Sequence, residues 1–265
     1  MASTHSNQLR SPAKSRFNML LLRDRLLVFA AIMALWEAMR FLGVNPLWIS
    51  SPSAVGARLV EMAASGELVR HMHTTLTEAA LGLLLAFAIG VPIGIAMARF
   101  RYAHAVAEPF IMALYSLPRV ALAPLFIIWF GIDLFSKVMM SFSTVLFIFM
   151  LNIHEGLKTM DKDLLELFRT MKAPRRYVLR KVILPWLVPW VIASLRIGIG
   201  LSLIGAVVAE LIGSSAGLGW YIEYSAGRLD TTGVFAGLVL LTVIAVAGNL
   251  IVGALEKHYS SWRPL

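Results

Sequence analysis

Two arginines and a glutamate interrupt otherwise apolar stretches of this 265-residue chain: Arg119 in Leu117-Pro118-Arg119, Arg196 in Ser194-Leu195-Arg196, and Glu210 in Ala209-Glu210. A charge inside an apolar run is costly unless it is paired or hydrated, so each marks either a hydrated path or a structural partner. Arginines facing such a path would hold an anion. Facing inward, they would hold a carboxylate or backbone carbonyls, and both readings of Arg119 stand on sequence alone. Pro118 and Pro124 flank it and predict a broken helix, whose freed backbone groups must face protein or a cavity. Glu37 and Arg40 lie three apart and are read as a local ion pair. His71 and His73 have an H-x-H spacing, but no further His or Cys lies near, so a metal site is not expected. Cysteine is absent, which removes disulfides and thiol nucleophiles. No paired carboxylates and no serine–histidine set fall at one depth, so covalent catalysis is not expected either.

The long polar interval of the second half runs from Asn152 to Pro185, between flanks apolar enough to sit in a bilayer. Within it Leu164, Leu165, Phe168 and Met171 recur at helical spacing, while Asp161, Lys162, Asp163, Glu166, Arg169 and Lys172 take the other positions. The pattern predicts an amphipathic helix from Asp161 to Met171, outside the membrane. Its apolar stripe must be covered by the lipid interface, by the chain itself or by a partner's groove.

The elements that position these residues follow from composition. With 58% hydrophobic and 15% charged residues and a mean hydropathy of +0.76, the chain reads as an all-α, polytopic membrane protein. Six spans are expected: residues 20–44, 74–98, 108–131 (broken), 134–153, 186–213 and 233–255. The first continues past its small residues and is read as uncleaved. Residues 1–19 form a polar, disordered tail, residues 45–73 an outer segment with a short helix from Ser53 to Ala64, and residues 256–265 the other end. Residues 74–255 form the core, with the loop 154–185 inside it. Gly82, Gly90 and Gly94, then Gly198, Gly200 and Gly205, leave room for neighbouring helices. Gly217-Leu218-Gly219 reads as a turn, with Trp220 and Tyr221 as an interfacial anchor. Seventeen of the twenty-four Lys and Arg fall on one side of this topology, which makes that side and both termini cytoplasmic. The net charge of +9 is therefore a topology signal and not a nucleic-acid one.

Glu166-Leu167-Phe168, three residues, Lys172, nine residues, and Val182-Ile183-Leu184-Pro185 resemble the EAA loop of ABC-importer permeases. Leu167 and Phe168 replace the two alanines, and Lys172 replaces the glycine. Ser116 to Leu125, Trp129-Phe130-Gly131-Ile132, Lys137, Arg196, Ala209-Glu210 and Gly217-Leu218-Gly219 resemble the branch serving nitrate, sulfonate, taurine and bicarbonate. That branch also holds carriers of aromatic acids and vitamin precursors. The resemblance implies a five-helix core plus an N-terminal helix, in the bacterial inner membrane, acting as a homodimer. Two cytoplasmic ATPases would lie below and a solute-binding protein above, carrying a small solute, by the arginines an anion. It makes Asp161, Leu164, Leu165, Glu166, Phe168, Met171, Lys172, Leu184 and Pro185 the ATPase-coupling residues, and the bulk of Phe168 implies a deep or wide cleft. Pro118, Arg119, Pro124, Arg196 and Glu210 are the pathway candidates. ATP and Mg belong to the partner, since no G-x-x-x-x-G-K-[ST] loop occurs here and the chain binds no cofactor of its own. A lysine in the glycine's place can turn left-handed at a cost; otherwise Ala173-Pro174 makes the turn, or the helix runs longer. The competing readings are a lone secondary transporter or channel, which would need coupling carboxylates and often a repeat, and a membrane-embedded enzyme.

Overall fold

The computed structural model describes residues 12–43, 45 and 47–260; the expected disordered tail lies outside them up to residue 11, while residues 12–19 begin a helix, and the expected C-terminal end lies outside them from residue 261. The described residues form eleven α-helices and no strand. In order these are α1 (Pro12–Phe41), α2 (Pro52–Ser65), α3 (Glu67–Arg99), α4 (Arg101–Ser116), α5 (Ala123–Phe130), α6 (Leu134–Lys158), α7 (Lys162–Thr170), α8 (Arg175–Val178), α9 (Leu184–Ile212), α10 (Leu218–Gly227) and α11 (Thr231–Ser260). Four stretches are long and apolar enough to cross a membrane: α3, α6, the rod Arg175–Ile212 and Thr231–Lys257. A fifth results if α4 and Arg119–Phe130, bent by 83°, count as one span. The expected sixth lies in α1, whose apolar run is interrupted by charges. Arg23, Asp24 and Arg25 at one end and Glu37 and Arg40 at the other leave only eleven uncharged residues between Arg25 and Glu37, against the roughly 20 that cover a bilayer core.

The bundle is organised around α6, which packs along α3 on one side and α9 on the other. Small residues every fourth position on α3 make the first contact possible: Gly82, Ala86, Gly90 and Gly94 are all buried. A Cβ at Gly82 would stand 2.3 Å from Ser141 Oγ, and one at Gly94 would stand 2.6 Å from the Met150 carbonyl oxygen. On α9, Gly205 approaches Ser141 Cα in the same way, at 2.7 Å. The expected helix-packing glycines therefore do face neighbours, except Gly200, which meets nothing.

α2 starts where Ser51 accepts a hydrogen bond from the Ala54 N–H. It ends at Gly66, in the left-handed conformation at φ 80. The next helix begins at once with Glu67, so His71 and His73 sit inside α3 and not in a loop as expected. α1 joins this region at one end. Trp36 Nε1 donates to the Ser50 carbonyl at 2.6 Å, and Trp36 packs against Phe235. Glu37 accepts from the N–H and hydroxyl of Ser53, at 3.0 and 2.7 Å, while Arg40 stays 3.9 Å away. Holding the first turn of α2 is thus the stronger role of Glu37, and the expected ion pair is the weaker one.

Two interruptions shape the spans. At Leu117 and Pro118 the backbone is extended, and a single 3₁₀ turn, Arg119–Leu122, leads into α5. This is the break that the prolines predict. Between α8 and α9 the helix widens to a π turn, Leu179–Ile183. It lies directly before Pro185, whose ring would press on the Lys181 carbonyl in a regular α-helix.

Candidate functional site

The predicted amphipathic helix is α7. Asp161 starts it by accepting the Asp163 N–H at 2.9 Å. The helix touches the membrane-spanning helices hardly at all. Leu164, Leu165 and Phe168 are half-buried, and the Phe168 ring lies 6.2 Å from that of Tyr177. Leu167 and Met171 are 54% and 67% exposed, and Glu166 is exposed beside them. The stripe is therefore divided: one edge rests on the chain itself, the other is open.

After α7 the chain turns sharply at Lys172, which has φ +51. Ala173 N–H donates to the Phe168 carbonyl at 3.0 Å, closing the six-residue loop of a Schellman cap. Lysine adopts the left-handed conformation itself, so neither Ala173-Pro174 nor a longer helix replaces the turn. A side chain there costs about 1 kcal/mol. Lys172→Gly is accordingly expected to slow hydrogen exchange of the α7 amides about fivefold; unchanged exchange would mean that the strain is not borne at this turn. Leu184 and Pro185 are placed at the start of α9, past the π turn, and both are exposed.

Arg119 is half-buried just after the break, and Pro118 and Pro124 beside it are exposed. Its guanidinium lies 4.9 Å from the Phe147 ring centroid and 5.3 Å from that of Tyr115, and it donates to the Tyr115 carbonyl at 3.2 Å. No carboxylate pairs with it among the described residues. Aromatic faces hold a cation while leaving its outer N–H groups free to bind. Arg196 differs: it pairs with Glu256 and so ties α9 to α11.

Glu210 is 1% exposed and fully engaged. Its carboxylate accepts from Thr75 Oγ1 at 2.6 Å and from the Gly219 N–H at 2.6 Å. Thr75 in turn accepts the Leu218 N–H at 2.8 Å, and His71 Nδ1 accepts the Gly217 N–H at 3.1 Å. The first turn of α10 is thereby fastened to α3 and α9 by buried hydrogen bonds. Glu78 and Lys137, both buried, stand within electrostatic reach of Glu210. Neither was singled out as a partner of Glu210 from the sequence, although a carboxylate inside the apolar run after Thr74 was a visible signal. The sequence reads Gly217-Leu218-Gly219 as a turn, with Trp220 and Tyr221 as an interfacial anchor. The turn is made at Gly217, and the helix α10 follows it from Leu218, where Trp220 stacks between His71 and Tyr224, at 5.3 and 5.0 Å. That stack accounts for His71 without a metal; among the described residues no group of three metal-ligating side chains occurs.

A buried polar cluster that fastens a turn, a stacked arginine at a helix break and an amphipathic helix clear of the bundle offer binding and movement. Comparison with known proteins agrees. Residues 90–261 match the family described as "Binding-protein-dependent transport system inner membrane component". The chain is 31% identical to SsuC of Bacillus subtilis (strain 168), named as an aliphatic sulfonates transport permease, over 96% of this chain and 91% of that one. It is 30% identical to the formylaminopyrimidine transport permease ThiX of Halalkalibacterium halodurans, over 89% of this chain and 94% of that one. With the taurine transport system permease TauC of Escherichia coli (strain K12) the identity is 29%, over 88% and 87%. Among solved structures, an inward-facing form of the MetNI methionine ABC transporter shares the fold, at a TM-score of 0.60 and 20% identity over 72% of this chain and 97% of that one. The chain therefore belongs to the inner membrane components of binding-protein-dependent transport systems, as an ABC-importer permease of the branch that includes the sulfonate and taurine permeases.

Proposed function

We propose that this permease passes a small organic anion of the sulfonate or taurine kind, as a homodimer with two cytoplasmic ATPases and a solute-binding protein on the outer side. Both termini face the cytoplasm, α1 crosses as the sixth span in spite of its charges, and ATP and Mg are bound by the ATPases alone. One observation carries this reading: α7 stands clear of the spans, between α6 and the rod that begins at Arg175, with Leu167 and Met171 uncovered. A helix so placed fits a groove on a partner and can transmit its movement to the span at either end. Closure of the ATPase pair would carry α7 with it and tilt α6 and α9. The relatives named for sulfonates and taurine, together with the unpaired Arg119, support an anion as the solute.

The test is co-purification with the ATPase encoded beside it, followed by ATP hydrolysis with the binding protein loaded with candidate anions. Stimulation by one loaded form is expected and would name the solute. Absence of any associated ATPase would remove the coupling role of α7. Within the same system, Arg119→Ala is expected to slow uptake tenfold or more, about what loss of a charged hydrogen bond implies, while assembly persists. Unchanged uptake would leave Arg119 a purely structural role.

A further inference from the structure

Five cations fall in the ten residues from Lys172 to Lys181: Lys172, Arg175, Arg176, Arg180 and Lys181. All five side chains are exposed, and among the described residues none enters an ion pair. The last four belong to the rod Arg175–Ile212, which continues through the π turn into a span. Their depth is therefore fixed by the helix itself. From Arg175 to Lys181 the axial rise is about 9 Å, and the headgroup layer on one side of a bilayer is about 5–8 Å thick. The apolar run starts directly after them, at Val182. Arg176 and Arg180 lie four apart and share a face.

We infer that this basic face binds anionic phospholipid headgroups of the adjoining leaflet. Phosphodiester groups already occupy the depth at which the four rod cations are held, and each carries the charge these side chains lack. An acidic face of the ATPase would have to reach into the headgroup layer to meet them, whereas α7 offers its free edge outside it. Tyr177 lies inside the basic run and touches Phe168 of α7. Bound headgroups therefore clamp the segment against which α7 rests, and lipid charge becomes a condition for efficient coupling. The inference rests on the proposed function only for the side of the membrane concerned.

The full-length permease, purified and stripped of lipid, is offered phosphatidylglycerol or phosphatidylcholine of identical chains, and retained lipid is counted by native mass spectrometry. Wild type is expected to retain phosphatidylglycerol over phosphatidylcholine, with retention falling as salt rises. Each lost charge should lower the affinity about fivefold. The combined variant R176Q, R180Q and K181Q should therefore lose about a hundredfold, whereas R176K with R180K should match wild type. Equal retention of the two lipids by wild type would overturn the inference. So would a glutamine variant that keeps phosphatidylglycerol, and if that variant also lost the ATPase, the face would belong to the ATPase. The lipid count needs no ATPase and no solute, so it stands or falls apart from the proposed function.

Discussion

Phe168→Asp is expected to abolish coupled transport while the permease still inserts and folds. Phe168 is half-buried against Tyr177 at the edge of a helix that supports nothing in the bundle. Losing that contact leaves the α3, α6 and α9 core untouched. A groove that takes the open edge, with Leu167, Met171 and the uncovered part of the Phe168 ring, would instead receive an unpaired carboxylate. Truncation of an interface aromatic costs about 2–4 kcal/mol, and the unpaired charge adds to that. ATPase affinity should fall more than a hundredfold, measured by pull-down of the detergent-solubilised complex. An ATPase retained at normal strength would show that the stripe edge carrying Phe168 is not the docking edge.

Gly217→Ala should have the largest effect on stability. Gly217 adopts φ 109 and ψ 164, a region that is essentially glycine's alone. A Cβ there would stand 2.2 Å from Glu210 Oε1, among the hydrogen bonds that hold the first turn of α10. Backbone strain and displacement of a buried carboxylate together are expected to cost about 3 kcal/mol or more. Gly131 is the matched control. Its φ of 80 and ψ of −178 carry similar strain, but a Cβ there meets nothing within 4 Å. Thermal midpoints in detergent should therefore fall much further for Gly217→Ala than for Gly131→Ala. Equal falls would mean that the contact with Glu210 contributes nothing.

Features set by local chemistry were legible in the sequence. Leu117-Pro118 broke a helix because proline forces the preceding residue out of the helical region, and the bend is there. The period of Leu164, Leu165, Phe168 and Met171 placed α7 within a residue at each end. The short helix expected from Ser53 to Ala64 is α2, one residue longer at each end. Features that depend on distant partners were not legible. α10 is ten residues long and begins in a glycine-rich turn, so its helicity reflects fastening to α3 and α9 more than its own pattern. Glu210 stood out as a charge in an apolar run, but Thr75, which fixes its role, lies 135 positions away. The division of the α7 stripe was hidden for the same reason: the period gives the face, but only the fold shows that Tyr177 covers part of it.

The attachment of α1 at one end bears on what melting of this protein would report. Between Met19 and Leu35 nearly every side chain of α1 is exposed, and the fastening lies at Trp36 and Glu37. Local opening of such a helix is only loosely coupled to that of the α3, α6 and α9 bundle, so the two behave as separate foldons. Thermodynamically the described chain is a cooperative bundle and a tethered helix, and where α1 crosses the membrane as proposed, its tilt answers to bilayer thickness more than to the packing of the bundle.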